Sequence, residues 1–266
     1  MHARVKDLDL YFERRGEGSP LLFLNGSGAT IETSALLIDV FARSFEVVVH
    51  DQRGLGRSGI PPGPYSMADY ASDAAALLDH VGWPSALVVG VSFGGMVAQE
   101  LAVTWPDRIE RLGLLCTSPG GIGGSSYPLH ELAALPAKEQ AEVGRSILDT
   151  RFTAEWLADH PSDRALVELM AERNSTARTD EQRRGAAEQL EARRHHDVYD
   201  RLKAISCPTF VACGRFDGIA PPSNSEAIAA QVPQAELREY DGGHAFFVQD
   251  PEALPQILAF LDGGTG

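Results

Sequence analysis

Gly90-Val91-Ser92-Phe93-Gly94-Gly95 decides the fold of this chain. Ahead of it stands Ser85-Ala86-Leu87-Val88-Val89, a short apolar run rich in β-branched residues, which is the pattern of a buried strand. Behind it, Met96-Val97-Ala98-Gln99-Glu100-Leu101-Ala102 combines good helix formers with an apolar stripe. A G-x-S-x-G sequence between a strand and a helix is a tight turn whose central residue takes a strained backbone. Gly90 and Gly94 lack a Cβ, so strand and helix can close on each other there. Ser92 is then held at the carboxyl end of a sheet, its hydroxyl facing a cleft. The Phe93 amide opens the helix beneath it. Free N–H groups and a partial positive charge at that end suit a developing oxyanion.

Upstream, Leu8 to Glu13 alternates loosely and reads as an antiparallel edge strand. Pro20 to Leu24 is a continuous apolar run, expected of a strand covered on both faces. It ends in Asn25-Gly26-Ser27-Gly28, a loop able to turn backbone N–H groups toward a ligand. A helix over Ala35 to Phe41 and a strand over Phe45 to Val49 follow. Gly54, Gly56 and Gly59 then spell G-x-G-x-x-G. A dinucleotide fingerprint needs a helix at that point, whereas Ile60-Pro61-Pro62-Gly63-Pro64 follows. The segment therefore reads as a tight structural loop. Ser66, with Asp69 three residues on, is the expected N-cap of a helix whose apolar positions run from Met67 to Val81. Another strand covers Ile109 to Cys116. Strands alternating with helices predict an α/β chain with a mostly parallel, doubly wound sheet.

Composition changes at Pro119. The glycine-rich stretch 120–126 reads as a flexible entry, and residues 136–201 are polar and helix-forming with no strand candidate. The expected division is a core domain of residues 1–118 and 202–266, and a helical cap of residues 119–201 over the carboxyl edge of the sheet. Strands resume at Cys207 to Cys213 and at Glu236 to Tyr240, with a helix over Ser225 to Val232 between them.

A serine hydroxyl is a poor nucleophile at neutral pH. It needs a base within hydrogen-bond reach, and the base needs an orienting carboxylate. Asp217 lies in Gly214-Arg215-Phe216-Asp217-Gly218, and His244 in Asp241-Gly242-Gly243-His244, each just past a strand on the same edge as Ser92. Asp241 is too near His244 in sequence to sit across from it comfortably, so Asp217 is the expected acid. Phe152, Trp156, Leu157 and Met170 in the insertion, with Phe246 and Phe247 beside His244, are expected to supply apolar walls to a covered pocket. His195-His196-Asp197 reads as a solvated helix face, because a metal site needs more ligands at defined spacing. No metal is expected. His50 is expected to pack beside the Asp51 loop.

Five of these segments, in this order, resemble the α/β-hydrolase fold family over essentially the whole chain. Asn25 to Gly28 is similar to its first oxyanion-hole loop, and Asp51-Gln52-Arg53-Gly54-Leu55-Gly56-Arg57-Ser58 to its D-x-R-G-x-G-x-S loop. Gly90 to Gly94 resembles the nucleophile elbow, Gly214 to Asp217 the acid turn, and Gly242-Gly243-His244 the histidine loop. The resemblance implies a helical cap and two-step acyl transfer without a cofactor. Ser92 would attack, His244 would act as base, Asp217 would orient it, and the amides of Ser27 and Phe93 would hold the oxyanion. Asn25 stands where many relatives carry histidine. Asparagine occurs there in relatives similar to 3-oxoadipate enol-lactonase, and Asn25 joins the pocket candidates.

The expected activity is hydrolysis of small or medium carboxylic esters or lactones. On this fold the same triad also serves carbon–carbon hydrolysis of a dienoate and cofactor-free perhydrolysis. A catalytically silent small-molecule receptor is the reading from another class. Haloalkane dehalogenases and epoxide hydrolases carry aspartate where this chain has Ser92.

The chain has 266 residues, 44% of them hydrophobic, and a formal net charge of −14. Its length suits one large α/β domain with an insertion. The charge should repel nucleic acid and anionic membranes and slow the approach of anions. Uncharged esters and lactones are therefore the expected substrates, and small molecules the expected partners. Cys116, Cys207 and Cys213 are too few and scattered for a disulfide framework. No apolar signal region follows Met1. A cytoplasmic monomer or homodimer is the expectation.

Overall fold

The structure, a computed structural model, describes residues 1–6, 8–174 and 179–263. Its strands are β1 (His2–Val5), β2 (Leu8–Arg15), β3 (Ser19–Leu24), β4 (Phe45–His50), β5 (Ala86–Val91), β6 (Ile109–Leu115), β7 (Thr209–Gly214) and β8 (Ala235–Tyr240). They form one sheet in the order β1-β2-β4-β3-β5-β6-β7-β8. Only β1 and β2 run antiparallel to their neighbours. The β3–β4, β3–β5, β5–β6, β6–β7 and β7–β8 pairs are all parallel. The edge is thus β1, which pairs His2 with Tyr11 and Val5 with Leu8. The segment expected as the edge is the second strand. His2–Val5 alternates exposed and buried positions over four residues, too short a run to announce itself.

The helices are α1 (Ala35–Phe41), α2 (Met67–His80), α3 (Phe93–Thr104), α4 (Leu129–Leu132), α5 (Ala137–Leu148), α6 (Ala154–Asp159), α7 (Pro161–Asn174), α8 (Asp180–Arg194), α9 (Pro222–Gln231), α10 (Phe246–Gln249) and α11 (Ala253–Leu261). Ser66 caps α2 as its sequence predicts: its hydroxyl accepts from the Asp69 amide, and the Asp69 carboxylate accepts from the Ser66 amide. Such a cap stabilises by about 1 kcal/mol. Two apolar layers sandwich the sheet. On one face α2 and α3 pack Tyr70, Leu77, Phe93 and Leu101 against Leu22, Val88 and Leu112. On the other, α1 and α11 pack Ile38, Phe41, Ile257 and Leu261 against Phe23, Val47 and Val89. Among the described helices, none is long and apolar enough to cross a membrane.

Helices α4 to α8 all fall between β6 and β7. Their glycine-rich entry is pinned. Gly120 forms an antiparallel bridge with Asp197, and the Val198 amide donates to the Pro119 carbonyl at 2.9 Å. The chain enters and leaves the insertion side by side, where the composition alone predicts a loose hinge.

Parallel strands bring the carboxyl ends of β3, β5, β6, β7 and β8 to one edge, where a doubly wound sheet presents its ligand crevice. The loops that leave this edge carry Asn25, Ser92, Thr117, Asp217 and His244.

Candidate active site

The turn after β5 is as tight as its glycines require. Ser92 holds φ 54° and ψ −113°, a backbone few side chains adopt. A Cβ on Gly90 would meet the Gly94 carbonyl, and one on Gly94 would meet the Leu24 carbonyl. The strain is held from three sides. The Ser92 amide donates to Leu115 at 2.8 Å, and the Ser92 carbonyl accepts the Thr117 hydroxyl at 2.8 Å and the Gly95 amide at 2.9 Å. Thr117 escapes a sequence reading, because its role depends on β6 lying beside β5.

Ser92, Asp217 and His244 meet at this edge. His244 Nε2 lies 2.9 Å from Ser92 Oγ, and His244 Nδ1 lies 2.7 Å from Asp217 Oδ2. The other Asp217 oxygen accepts the amides of Ile219 at 2.7 Å and Ala220 at 2.8 Å. Three hydrogen bonds, one from the imidazole and two from the chain's own backbone, thus fix this buried carboxylate in place. Asp241 stands elsewhere: its side chain is 67% exposed and pairs with Arg151 at 2.9 Å. Cys116 sits beside the elbow at φ 44°, but burial pushes its thiol well up and leaves it un-ionised.

The loop after β3 lies against the elbow. A Cβ on Gly26 would stand 3.6 Å from the Ser92 Cβ. Neither the Ser27 amide nor the Phe93 amide has a hydrogen-bond partner among the described residues. The loop is positioned from a distance. Gln189 of α8 accepts the Gly28 amide at 2.7 Å and donates to Gln52 at 2.8 Å, and Gln52 donates to the Asn25 carbonyl at 2.8 Å. Gln189 and Gln52 are buried. Buried side-chain relays of this kind fix one geometry, because a broken link leaves an unpaired polar group in low dielectric.

The Asp51 loop is structural, as its prolines foretell. Asp51 accepts the amides of Ile31 at 2.7 Å and Arg57 at 2.9 Å, and Ser58 donates to the Asp51 carbonyl at 2.5 Å. Arg53 reaches back to α2 as a bidentate pair with Asp73, both contacts at 2.7 Å. His50 is buried beside this loop, and burial lowers its imidazole to about 4.

The apolar pocket candidates divide. Asn25 lies beside the elbow with its Nδ2 buried and unpaired, and Phe152 is buried apart from both core layers. Phe246 is not brought to a pocket. It is fully buried, stacked on Tyr240 at 5.2 Å, and belongs to the core layer under the sheet. Trp156 faces its own insertion: it stacks on His160 at 3.8 Å, lies under the Arg151 guanidinium at 4.9 Å and donates to Asp163. The spacing of Trp156 and His160, one helical turn, is the signal that could have placed them together. Met170 is half-buried on α7. His196 is buried rather than solvated, whereas the His195 side chain is 68% exposed and pairs with Glu191. Among the described residues no group of acidic, histidine or cysteine side chains is arranged to hold a metal ion.

Comparison with known proteins agrees with this architecture. A family model described as alpha/beta hydrolase fold matches residues 19–251. The Serratia proteamaculans protein that carries the name carbamate hydrolase RutD is 31% identical over 262 residues, covering 94% of each chain. A poly(3-hydroxyalkanoate) depolymerase from Ectopseudomonas oleovorans is 30% identical over 91% of this chain and 84% of its own. The crystal structure of the enol-lactonase from Burkholderia xenovorans LB400 superposes with a TM-score of 0.81 at 23% identity, over 98% of this chain and all of the other. The chain belongs to the alpha/beta hydrolase fold family, and it is a hydrolase.

Proposed function

We propose that this protein is a serine hydrolase that cleaves small or medium carboxylic esters or lactones through a covalent acyl-enzyme. The observation that carries the reading is the line from Asp217 Oδ2 to His244 Nδ1 at 2.7 Å and from His244 Nε2 to Ser92 Oγ at 2.9 Å. In this reading Asp217 keeps the proton on Nδ1 and leaves Nε2 free to take the Ser92 proton as Oγ attacks the carbonyl. The unpartnered amides of Ser27 and Phe93 receive the oxyanion. His244 then returns its proton to the departing oxygen. Water, activated by the same base, releases the acid. The inserted helices act as a cap over this edge. The names of the depolymerase and the enol-lactonase relatives agree with ester and lactone substrates.

A kcat/KM panel tests the reading: p-nitrophenyl acetate, butyrate and palmitate, a neutral lactone, an aryl carbamate and a dienoate diketone. Short esters or the lactone should lead, with palmitate far behind. A clear lead for the diketone would move the function to carbon–carbon hydrolysis, and for the carbamate to that linkage. Asp217→Asn should cost on the order of 10⁴-fold in kcat, and Asp241→Asn should cost little. The reverse result would reassign the acid.

A further inference from the structure

Two neighbouring strands end under backbone strain. Among the described residues, three that are not glycine hold a positive φ. Lys6 lies in the link between β1 and β2. The other two, Ser92 at 54° and Cys116 at 44°, stand one residue past the ends of β5 and β6. These strands are parallel, and their last paired residues are Val91 and Leu115, so the two strained residues are side by side. The elbow accounts for Ser92. Cys116 has no such account, because its thiol is buried and held un-ionised. Strained backbones are costly and persist only where the surroundings enforce them, most often at functional sites.

The kink at Cys116 turns Thr117 beneath the elbow. Thr117 is fully buried, and its hydroxyl donates to the Ser92 carbonyl at 2.8 Å. The second glycine of Gly94-Gly95 makes room for it: a Cβ on Gly95 would stand 2.6 Å from the Thr117 Cβ and 2.7 Å from its Oγ1. Glycine costs helix stability at that place, in the first turn of α3, and Thr117 is what the cost permits. Gln99, one turn further on and also fully buried, closes the bracket. Its Nε2 donates to the carbonyls of Gly95 and Ser118 at 3.1 Å each and lies 3.5 Å from Thr117 Oγ1. A carbonyl only accepts, so the Thr117 proton is committed to Ser92. The Ser92 carbonyl and the Phe93 N–H are the two ends of one planar peptide unit, pointing opposite ways. The N–H is the unpartnered amide assigned above to the oxyanion. A hydrogen bond taken up at the carbonyl fixes the plane of that peptide and draws its electrons toward oxygen, which makes the N–H a stronger donor. The amides of Gly95 at 2.9 Å and Met96 at 3.2 Å also reach this carbonyl, but they come with the start of the helix. The hydroxyl is an addition from another strand.

We propose that Thr117 is a positioning residue for the oxyanion hole: its hydroxyl fixes and polarises the Ser92–Phe93 peptide, whose N–H receives the developing charge. The assignment rests on the serine-hydrolase reading above. It gives the strain at Cys116 and the glycine at position 95 one common purpose. One oxyanion donor is worth about 10²–10³-fold in kcat, and a chained hydrogen bond strengthens its neighbour by roughly 10–30%. On a logarithmic scale, losing the hydroxyl should therefore cost a factor of about 2 to 10.

Thr117→Ser and Thr117→Ala differ from each other in the hydroxyl alone, and three readouts compare them with wild type. With p-nitrophenyl butyrate, kcat should fall about 2- to 10-fold in Thr117→Ala and far less in Thr117→Ser. KM should hold, and the acid limb of the pH profile, which reports His244, should not move. The Kd of butylboronic acid, whose tetrahedral adduct on Ser92 places an oxygen in the hole, should rise in Thr117→Ala by the same factor as kcat falls. In NMR spectra, the Ser92 carbonyl carbon and the Phe93 amide nitrogen should both move upfield in Thr117→Ala and stay near their wild-type positions in Thr117→Ser. Equal kcat in the two variants would overturn the proposal, and so would a Phe93 resonance indifferent to the hydroxyl. A lower kcat with unchanged boronate affinity would put the effect on the triad instead of the hole and overturn it as well. Should Thr117→Ala not fold, Thr117→Val, which refills the space, takes its place in all three readouts. Wild type inert on the ester would count against the hydrolase reading, and the two resonances would still decide whether the hydroxyl acts on the Phe93 peptide.

Discussion

The amide of His244 donates to the carbonyl of Leu148 at 2.6 Å, joining the histidine loop to the inserted helices. The same stretch of chain holds the acid loop. The Thr150 amide donates to Phe216 at 2.9 Å, and the Gly218 amide donates to Ile147 at 3.0 Å. Residues 147–150 thus touch both loops that carry the imidazole and its carboxylate. Asp149 locks them: it is fully buried and accepts from Arg151 at 2.7 Å and from Gln249 at 3.0 Å, while Gln249 accepts the Gly243 amide at 2.9 Å.

Removing that lock should misplace the base rather than empty the pocket. Asp149→Ala is expected to lower kcat by about 10- to 100-fold with KM changed far less, as small displacements of a catalytic group do. Steady-state kinetics beside a melting curve checks it. A lowered melting temperature with kcat intact would mean that Asp149 serves stability alone.

The relay from α8 to the loop after β3 makes a separate prediction. Gln189→Leu strands the Gly28 amide and the Gln52 carbonyl oxygen without partners. The loop bearing the Ser27 amide should then loosen, costing about tenfold or more in kcat. Acylation by a fluorophosphonate should slow in parallel, because its phosphoryl oxygen occupies the same position. Unimpaired acylation would contradict the role given to the relay.

Much of this site is written locally. The strained elbow needs glycines on both sides, the Ser66 cap needs Asp69, and Asp217 and His244 sit in glycine turns just past strands. Each signal lies within a few residues, so spacing reveals it. Gln52, Gln189 and Asp149 acquire their roles only when distant segments meet. A polar residue on a polar helix reads as solvated, and α8 is polar along most of its length. His196 reads as solvated for that reason, and Phe246 as a pocket wall because an aromatic next to a catalytic loop can equally turn outward or down into the core.

Acid should weaken the fold through two buried histidines. Burial lowers both His50 and His196 from 6.5 to about 4. The unfolded chain therefore binds more protons between those values, and stability falls as pH drops through that window. Above about pH 6.5 the contribution is fully present, and below about pH 4 no further loss comes from these groups. Each is worth roughly 3 kcal/mol, to order of magnitude, by the same linkage. Denaturant titrations from pH 7 to pH 4 should show the slope, and His50→Gln should reduce it. A flat profile would mean that these imidazoles are not held neutral by the fold.

The central claim is that Ser92, activated by His244, becomes covalently acylated. Intact-mass and peptide mass spectrometry after treatment with a fluorophosphonate tests it most directly. The account predicts one adduct per chain, on Ser92, absent from Ser92→Ala and formed on the order of 10³-fold or more slowly in His244→Ala. An adduct on another residue, or ester turnover that continues in a protein whose Ser92 is fully blocked, would contradict it.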